Sequence, residues 1–240
     1  MNNMNMICLP FAGGNVYSYL GYVKLAPPAL NIIPLELPGR GARIREKLLK
    51  NMDEMVEDIF KQAKPYLNEK PYMIYGHSMG TFLGYLLTKR IIEEGLNPPK
   101  QLIFTGARAP SVKTLETKKH LLPKDEFIAK LIEYGGSPDE ILNDASIMNF
   151  FEPILRADFE GVENYIYTES EPLDIPIYVM IGSNERTTYE EAMAWQKETK
   201  IPLEIKQFEG KHFFIFDHEK EIIAIISKLM HRELSSNILS

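Results

Sequence analysis

A single cysteine, Cys8, stands in the 240 residues. An internal disulfide is therefore excluded, and a reducing compartment is the natural expectation. No run approaches the roughly 20 apolar residues that a membrane-spanning helix requires. The opening MNNMNMICLPFAGG has neither a basic start nor the apolar stretch of a signal peptide. A cytoplasmic, soluble protein with no membrane partner is expected. Basic residues are in the minority, 27 Lys and Arg against 33 Asp and Glu for a net charge of -6, so the charge that draws proteins to nucleic acid is missing. There is no H-E-x-x-H and no Cys/His cluster to hold a metal. The glycine-rich stretch near the N-terminus lacks a complete G-x-G-x-x-G and a phosphate-loop lysine, so nucleotide binding is not expected either. Internal repeats, low-complexity tracts and linkers are absent, and nothing demands more than a monomer.

What is present is an alternation. Short apolar runs, Met6–Leu9, Ile32–Leu37, Tyr72–Tyr75, Leu102–Thr105, Ile177–Ile181 and Leu203–Phe208, read as strands buried on both faces. Helical spacing follows near Met52–Leu67, Met79–Glu94, Tyr189–Thr199 and His218–Arg232. Strands alternating with helices predict an α/β fold, a mostly parallel central sheet flanked by helices, formed by residues 1–240 as one domain. From about Ala107 to Asp174 the alternation stops. That stretch is far longer than the roughly 2–6 residues of a usual strand-to-helix connection. It carries two apolar stripes, Phe127, Leu131, Tyr134 and Ile147, Phe150, Phe151, Ile154, Leu155, punctuated by Gly135, Gly136 and Pro138. A helical insertion is expected there, acting as a lid over a site or as extra packing at the edge of the fold.

The strand Tyr72–Tyr75 runs straight into Gly76-His77-Ser78-Met79-Gly80, and helical spacing begins at once. This is the G-x-S-x-G nucleophile elbow in the context it needs, strand, sharp turn and helix. A serine hydroxyl is a weak nucleophile until a base takes its proton, and that base needs an acid to fix its tautomer. In this elbow's fold the chain order is Ser, then Asp or Glu, then His. Of the five histidines, His77 lies inside the elbow and should point away from Ser78. His120 and His231 read as surface residues, and His218 opens a helix. His212 follows the last strand and the turn Glu209-Gly210-Lys211, at the sheet edge where active-site loops gather, and is the expected base. For the acid, Glu185 sits on a loop at that same edge. Asp174 precedes its strand, Asp158 would have to reach down from the lid, and Asp217 suits a helix cap better. The oxyanion needs two backbone N–H groups, one from the residue after the nucleophile and one from an early loop. Those are Met79 and, in Pro10-Phe11-Ala12-Gly13-Gly14, Ala12 or else Phe11.

Five stretches in order resemble the type II thioesterases, the stand-alone editing enzymes of nonribosomal peptide and polyketide synthesis within the α/β-hydrolase superfamily. They are Leu9-Pro10-Phe11-Ala12-Gly13-Gly14, Leu37-Pro38-Gly39-Arg40-Gly41, Gly76-His77-Ser78-Met79-Gly80, Leu155-Arg156-Ala157-Asp158-Phe159 and Gly210-Lys211-His212-Phe213-Phe214. The resemblance covers nearly the whole chain. It implies an α/β-hydrolase fold and hydrolysis of acyl thioesters on the phosphopantetheine arm of acyl or peptidyl carrier proteins, with no metal or organic cofactor. Ser78, Glu185 and His212 would be catalytic, with Ala12 and Met79 as oxyanion donors. Glu185 stands where the family usually has aspartate. A carboxylesterase or an acyltransferase would share these residues. The cluster Arg40, Arg43, Arg45, Lys47 and Lys50 could attract an acidic carrier or form a solvated charge run, and Phe150, Phe151 and Phe159 could line an acyl pocket or pack the lid.

Overall fold

The computed structural model describes residues 4–68, 70–113, 117–134 and 145–236. Gly135, Gly136 and Pro138 lie outside the described residues. Six parallel strands, β1 (Met4–Leu9), β2 (Leu30–Pro34), β3 (Tyr72–His77), β4 (Gln101–Thr105), β5 (Ile177–Gly182) and β6 (Glu204–Phe208), form one sheet in the order β2-β1-β3-β4-β5-β6. Alternate residues of each strand feed two layers of core. On one side Ile7, Leu9, Ile74, Phe104, Val179 and Ile181 pack against α2 (Met52–Ala63) and α3 (Met79–Glu93). On the other, Met6, Cys8, Tyr75, Ile103 and Met180 pack with Tyr22 of α1 (Leu20–Leu25) and with the later-built α8 (Glu219–Ser236). Among the described residues, no helix is long and apolar enough to cross a membrane.

Some boundaries depart from the sequence pattern. The second strand ends at Pro34 rather than Leu37: Leu35 N–H still donates to Cys8 O at 2.9 Å, the chain then turns away, and Leu35 and Leu37 are apolar because they are buried in the turn that follows. Pro65 converts the last turn expected of α2 into a 3₁₀ turn, Lys64–Tyr66. The helix expected over Tyr189–Thr199 divides into α6 (Tyr189–Met193) and a 3₁₀ turn, Ala194–Glu198. Two short helices, α1 and α7 (Phe214–Asp217), left no periodic signal, being six and four residues long.

Between β4 and β5 stand α4 (Lys124–Tyr134) and the long α5 (Ala145–Asn164). The segment 156–159 is anchored locally. Arg156 donates to the carbonyls of His120 and Leu122 and lies 4.4 Å from the centre of the Phe127 ring. Phe159 meets Phe127 edge-on, and Ala157 and Asp158 are buried. His120, expected at the surface, is instead tucked against α5 with Nδ1 2.6 Å from Glu163 Oε2.

Candidate active site

The strand registers bring the carboxyl ends of β1, β3, β5 and β6 to one edge of the sheet. The order reverses between β1 and β3, which is where a crevice opens in such sheets. Ser78 leaves β3 at φ 53 and ψ -118, the one non-glycine among the described residues with positive φ. Such a backbone costs of order 1–3 kcal/mol and persists only where its surroundings impose it. Those surroundings are visible. A Cβ on Gly76 would stand 2.2 Å from the Gly80 carbonyl oxygen, so only glycine lets the chain double back into α3. Ser78 N–H donates to Thr105 O at 2.8 Å, while its side chain makes no capping bond at the start of the helix. The hydroxyl is thereby presented at the positive end of α3.

His212 leaves the loop after β6, and Glu185 the loop after β5. His212 Nδ1 is 3.0 Å from Glu185 Oε2, and the Glu185 carboxylate is completely buried. Glu185 Oε1 accepts from Gly182 N–H at 2.7 Å, so the carboxylate cannot swing away without losing a second bond. Nδ1–H donating to a carboxylate leaves Nε2 with the lone pair, the tautomer that a general base requires. Ser78, His212, Met79 and Ala12 all line one cavity of about 810 Å³, roofed by Phe151, Leu155 and Phe159. Phe150, the other aromatic expected there, is 52% exposed because its position on α5 faces outward.

A second histidine bears on the site. His77 is fully buried, with its ring 4.8 Å from that of His212 and 5.1 Å from Phe213. Thr105 Oγ gives its proton to the Gly76 carbonyl, which assigns His77 Nδ1–H as donor to Thr105 Oγ at 2.9 Å. Burial first, and the neighbouring His212 charge second, hold His77 well below the usual histidine range. It is a neutral wall against which the His212 ring rests. A depressed folded-state pKa makes the unfolded chain the better proton binder. This contribution to stability is therefore full above about pH 6.5 and is lost as pH falls from there. We expect the melting temperature to drop between about pH 7.5 and about pH 5.5, and less so in His77→Gln. Equal drops in the two proteins would remove His77 as the cause.

Arg40, expected on a surface basic cluster, is buried. Its Nη1 and Nη2 lie 2.6 and 2.7 Å from the two oxygens of Asp158, also fully buried. Asp158 Oδ2 also accepts from Gly13 N–H at 2.8 Å, and Arg40 Nη1 reaches the Gly14 carbonyl at 3.4 Å. The early glycine loop, the Pro38-Gly39-Arg40-Gly41 turn and α5 thus meet at one ion pair. Breaking such a pair from one side costs about 3–5 kcal/mol, because the remaining charge stays buried. Of the rest of the cluster, Arg45, Lys47 and Lys50 are exposed and Arg43 is half-buried. Arg43 is paired with Asp58 and Glu46, and Lys50 with Glu160. A signal for Asp158 was available in the spacing. It falls on the apolar stripe Phe151, Ile154, Leu155 and Val162, where an ionised side chain demands a partner.

Residues 4–230 match the family model of the thioesterase domain. The chain belongs to this family. The thioesterase resembles the gramicidin S biosynthesis protein GrsT of Aneurinibacillus migulanus, with 31% identity over 98% of this chain and 92% of the relative. Among solved structures, ClbQ from the colibactin NRPS/PKS pathway matches at TM-score 0.92 and 27% identity, covering 99% of this chain and 100% of the other. The type II thioesterase BorB from the borrelidin biosynthetic cluster matches at 0.86 and 29%, covering 95% and 92%. The fold is that of the α/β-hydrolase thioesterases, and the protein is a hydrolase of thioesters of the type II class.

Proposed function

We propose that this thioesterase hydrolyses acyl groups from the phosphopantetheine arm of acyl or peptidyl carrier proteins, clearing or releasing chains in nonribosomal peptide or polyketide synthesis. It works as a monomer in the cytoplasm, one α/β-hydrolase domain whose segment 107–174 is the lid. The observation that supports the catalytic reading is the buried Glu185 carboxylate bonded to His212, on the cavity that Ser78 enters. His212 Nε2 takes the Ser78 proton as Oγ attacks the thioester carbonyl. The N–H groups of Ala12 and Met79 receive the oxyanion, the sulfur leaves with the proton from His212, and water activated by His212 then cleaves the acyl-enzyme. Glu185 holds the tautomer and stabilises the imidazolium. Arg108, Lys113, Lys118 and Lys211 line the same cavity and suit the phosphodiester of the arm.

The test is release of a panel of acyl groups, each offered on a phosphopantetheinylated carrier and as a simple ester. Faster release from the carrier is expected. Turnover of the esters with carrier thioesters untouched would make the protein a small-molecule esterase.

A further inference from the structure

Phe11, Ala12, Gly13 and Gly14 form a tight turn, closed by Gly14 N–H to Phe11 O at 2.8 Å. Gly13 occupies the third position at φ +78, the conformation a type II turn requires there. A Cβ on Gly13 would also stand 2.7 Å from Leu155 Cδ2, so the glycine lets α5 close down onto the loop. Neither central N–H of this turn is used to close it. Ala12 N–H makes no hydrogen bond among the described residues and lines the cavity, whereas Gly13 N–H is taken by Asp158. The geometry points to Asp158, gripped by Arg40, as a positioning residue. By holding the Ala12–Gly13 peptide through its N–H, it fixes the turn closed by Gly14 N–H and Phe11 O, and so the preceding Phe11–Ala12 peptide, whose Ala12 N–H is aimed at the developing oxyanion; the hole is complete only while the lid helix is seated on its loop. This rests on the reading of Ser78 and Ala12 given above.

The chemistry of the clamp distinguishes aiming from mere support. Asp158 Oδ2 receives both Gly13 N–H and Arg40 Nη1, while Oδ1 receives only Arg40 Nη2. In Asp158→Asn the single carbonyl oxygen therefore settles at the Oδ2 position, where two donors meet, and the Gly13 bond survives although the ion pair is broken. In the double variant Arg40→Met with Asp158→Leu, an apolar pair of similar volume replaces the ions, which folded proteins often tolerate. That variant keeps the packing and loses the acceptor for Gly13.

The experiment compares both variants with wild type in steady-state hydrolysis, melting temperature and affinity for two ligands. One is a trifluoromethyl ketone analogue of the acyl thioester, whose hemiketal oxyanion occupies the hole. The other is an uncleavable thioether analogue of the ground state. A misaimed donor costs on the order of 100-fold. The double variant is expected to lose about that factor in kcat and in trifluoromethyl ketone affinity, with KM and thioether affinity within about threefold of wild type. Asp158→Asn should melt lower yet keep kcat within about threefold. The proposal is overturned if the double variant retains wild-type kcat, or if its losses fall equally on both ligands. It is also overturned if Asp158→Asn loses kcat and ketone affinity by tenfold or more, and this variant decides alone should the double variant not fold. Ser78→Ala separates the two levels. Turnover by Ser78→Ala within about tenfold of wild type would remove the catalytic reading itself, whereas Ser78→Ala reduced to its residual floor beside a normal double variant would remove only the clamp.

Discussion

Ser78→Ala is expected to eliminate the acyl-enzyme burst and to lower kcat on the order of 10⁶-fold, with substrate binding little changed. The size follows from how much of the site is organised around that hydroxyl. The backbone holds Ser78 at φ 53, in a conformation few side chains accept, and the hydroxyl caps nothing. Alanine keeps the turn and removes only the nucleophile. On the proposed reading, His212, Glu185 and the N–H groups of Ala12 and Met79 still surround the thioester carbonyl. A residual acceleration of roughly 10³–10⁴-fold over water is expected from them. The measurement is a single-turnover assay with a chromogenic acyl thioester, paired with a fluorophosphonate that labels an activated serine. Loss of labelling together with residual turnover at that floor is the expected result. Turnover within tenfold of wild type would mean that another group attacks the carbonyl.

The parts of this molecule that were legible in its sequence are those that local physics dictates. A strand buried on both faces must be apolar throughout, so β1, β3, β4 and β5 stand out as runs. The elbow is legible because the crowding at Gly76 and the strained serine act within five consecutive residues. His212 and Glu185 are legible at one remove, as polar residues in loops that a parallel sheet must gather at one edge. The Arg40–Asp158 pair was not legible in this way. Its partners are 118 positions apart, on a turn and on an inserted helix, and nothing in the neighbourhood of either names the other. In Leu37-Pro38-Gly39-Arg40-Gly41 the arginine sat at the head of a run of basic residues and read as surface charge. Asp158 was weighed only as an acid, and set aside because it would have to reach down from the insertion, so no ionic partner was sought for it. The structure resolves both at once, since each charge is buried only because the other is. His120 was misplaced for a related reason: its partner, Glu163, lies on the far side of the insertion.

Glu185→Gln is the sharpest test of the acid, because the two bonds of that carboxylate make incompatible demands on an amide. Oε1 accepts from Gly182 N–H and Oε2 faces His212 Nδ1. Glutamine has one oxygen. If that oxygen keeps Gly182, the amide nitrogen donates to His212 Nδ1, the ring proton moves to Nε2, and the lone pair needed by Ser78 is gone. If the amide flips, two donors confront each other at Gly182, buried with no acceptor between them. The first arrangement is the cheaper one, so the variant should fold and bind substrate normally while kcat falls on the order of 10⁴-fold. His212→Ala, which removes the base outright, should fall further, on the order of 10⁶-fold. Measuring kcat for both variants, with ring-nitrogen shifts of His212 by NMR, checks the order of the losses and its cause. Near-normal rates in Glu185→Gln with Nδ1 still protonated would place the acid elsewhere. A fall in rate with the proton relocated to Nε2 would tie the loss to the tautomer that Glu185 enforces.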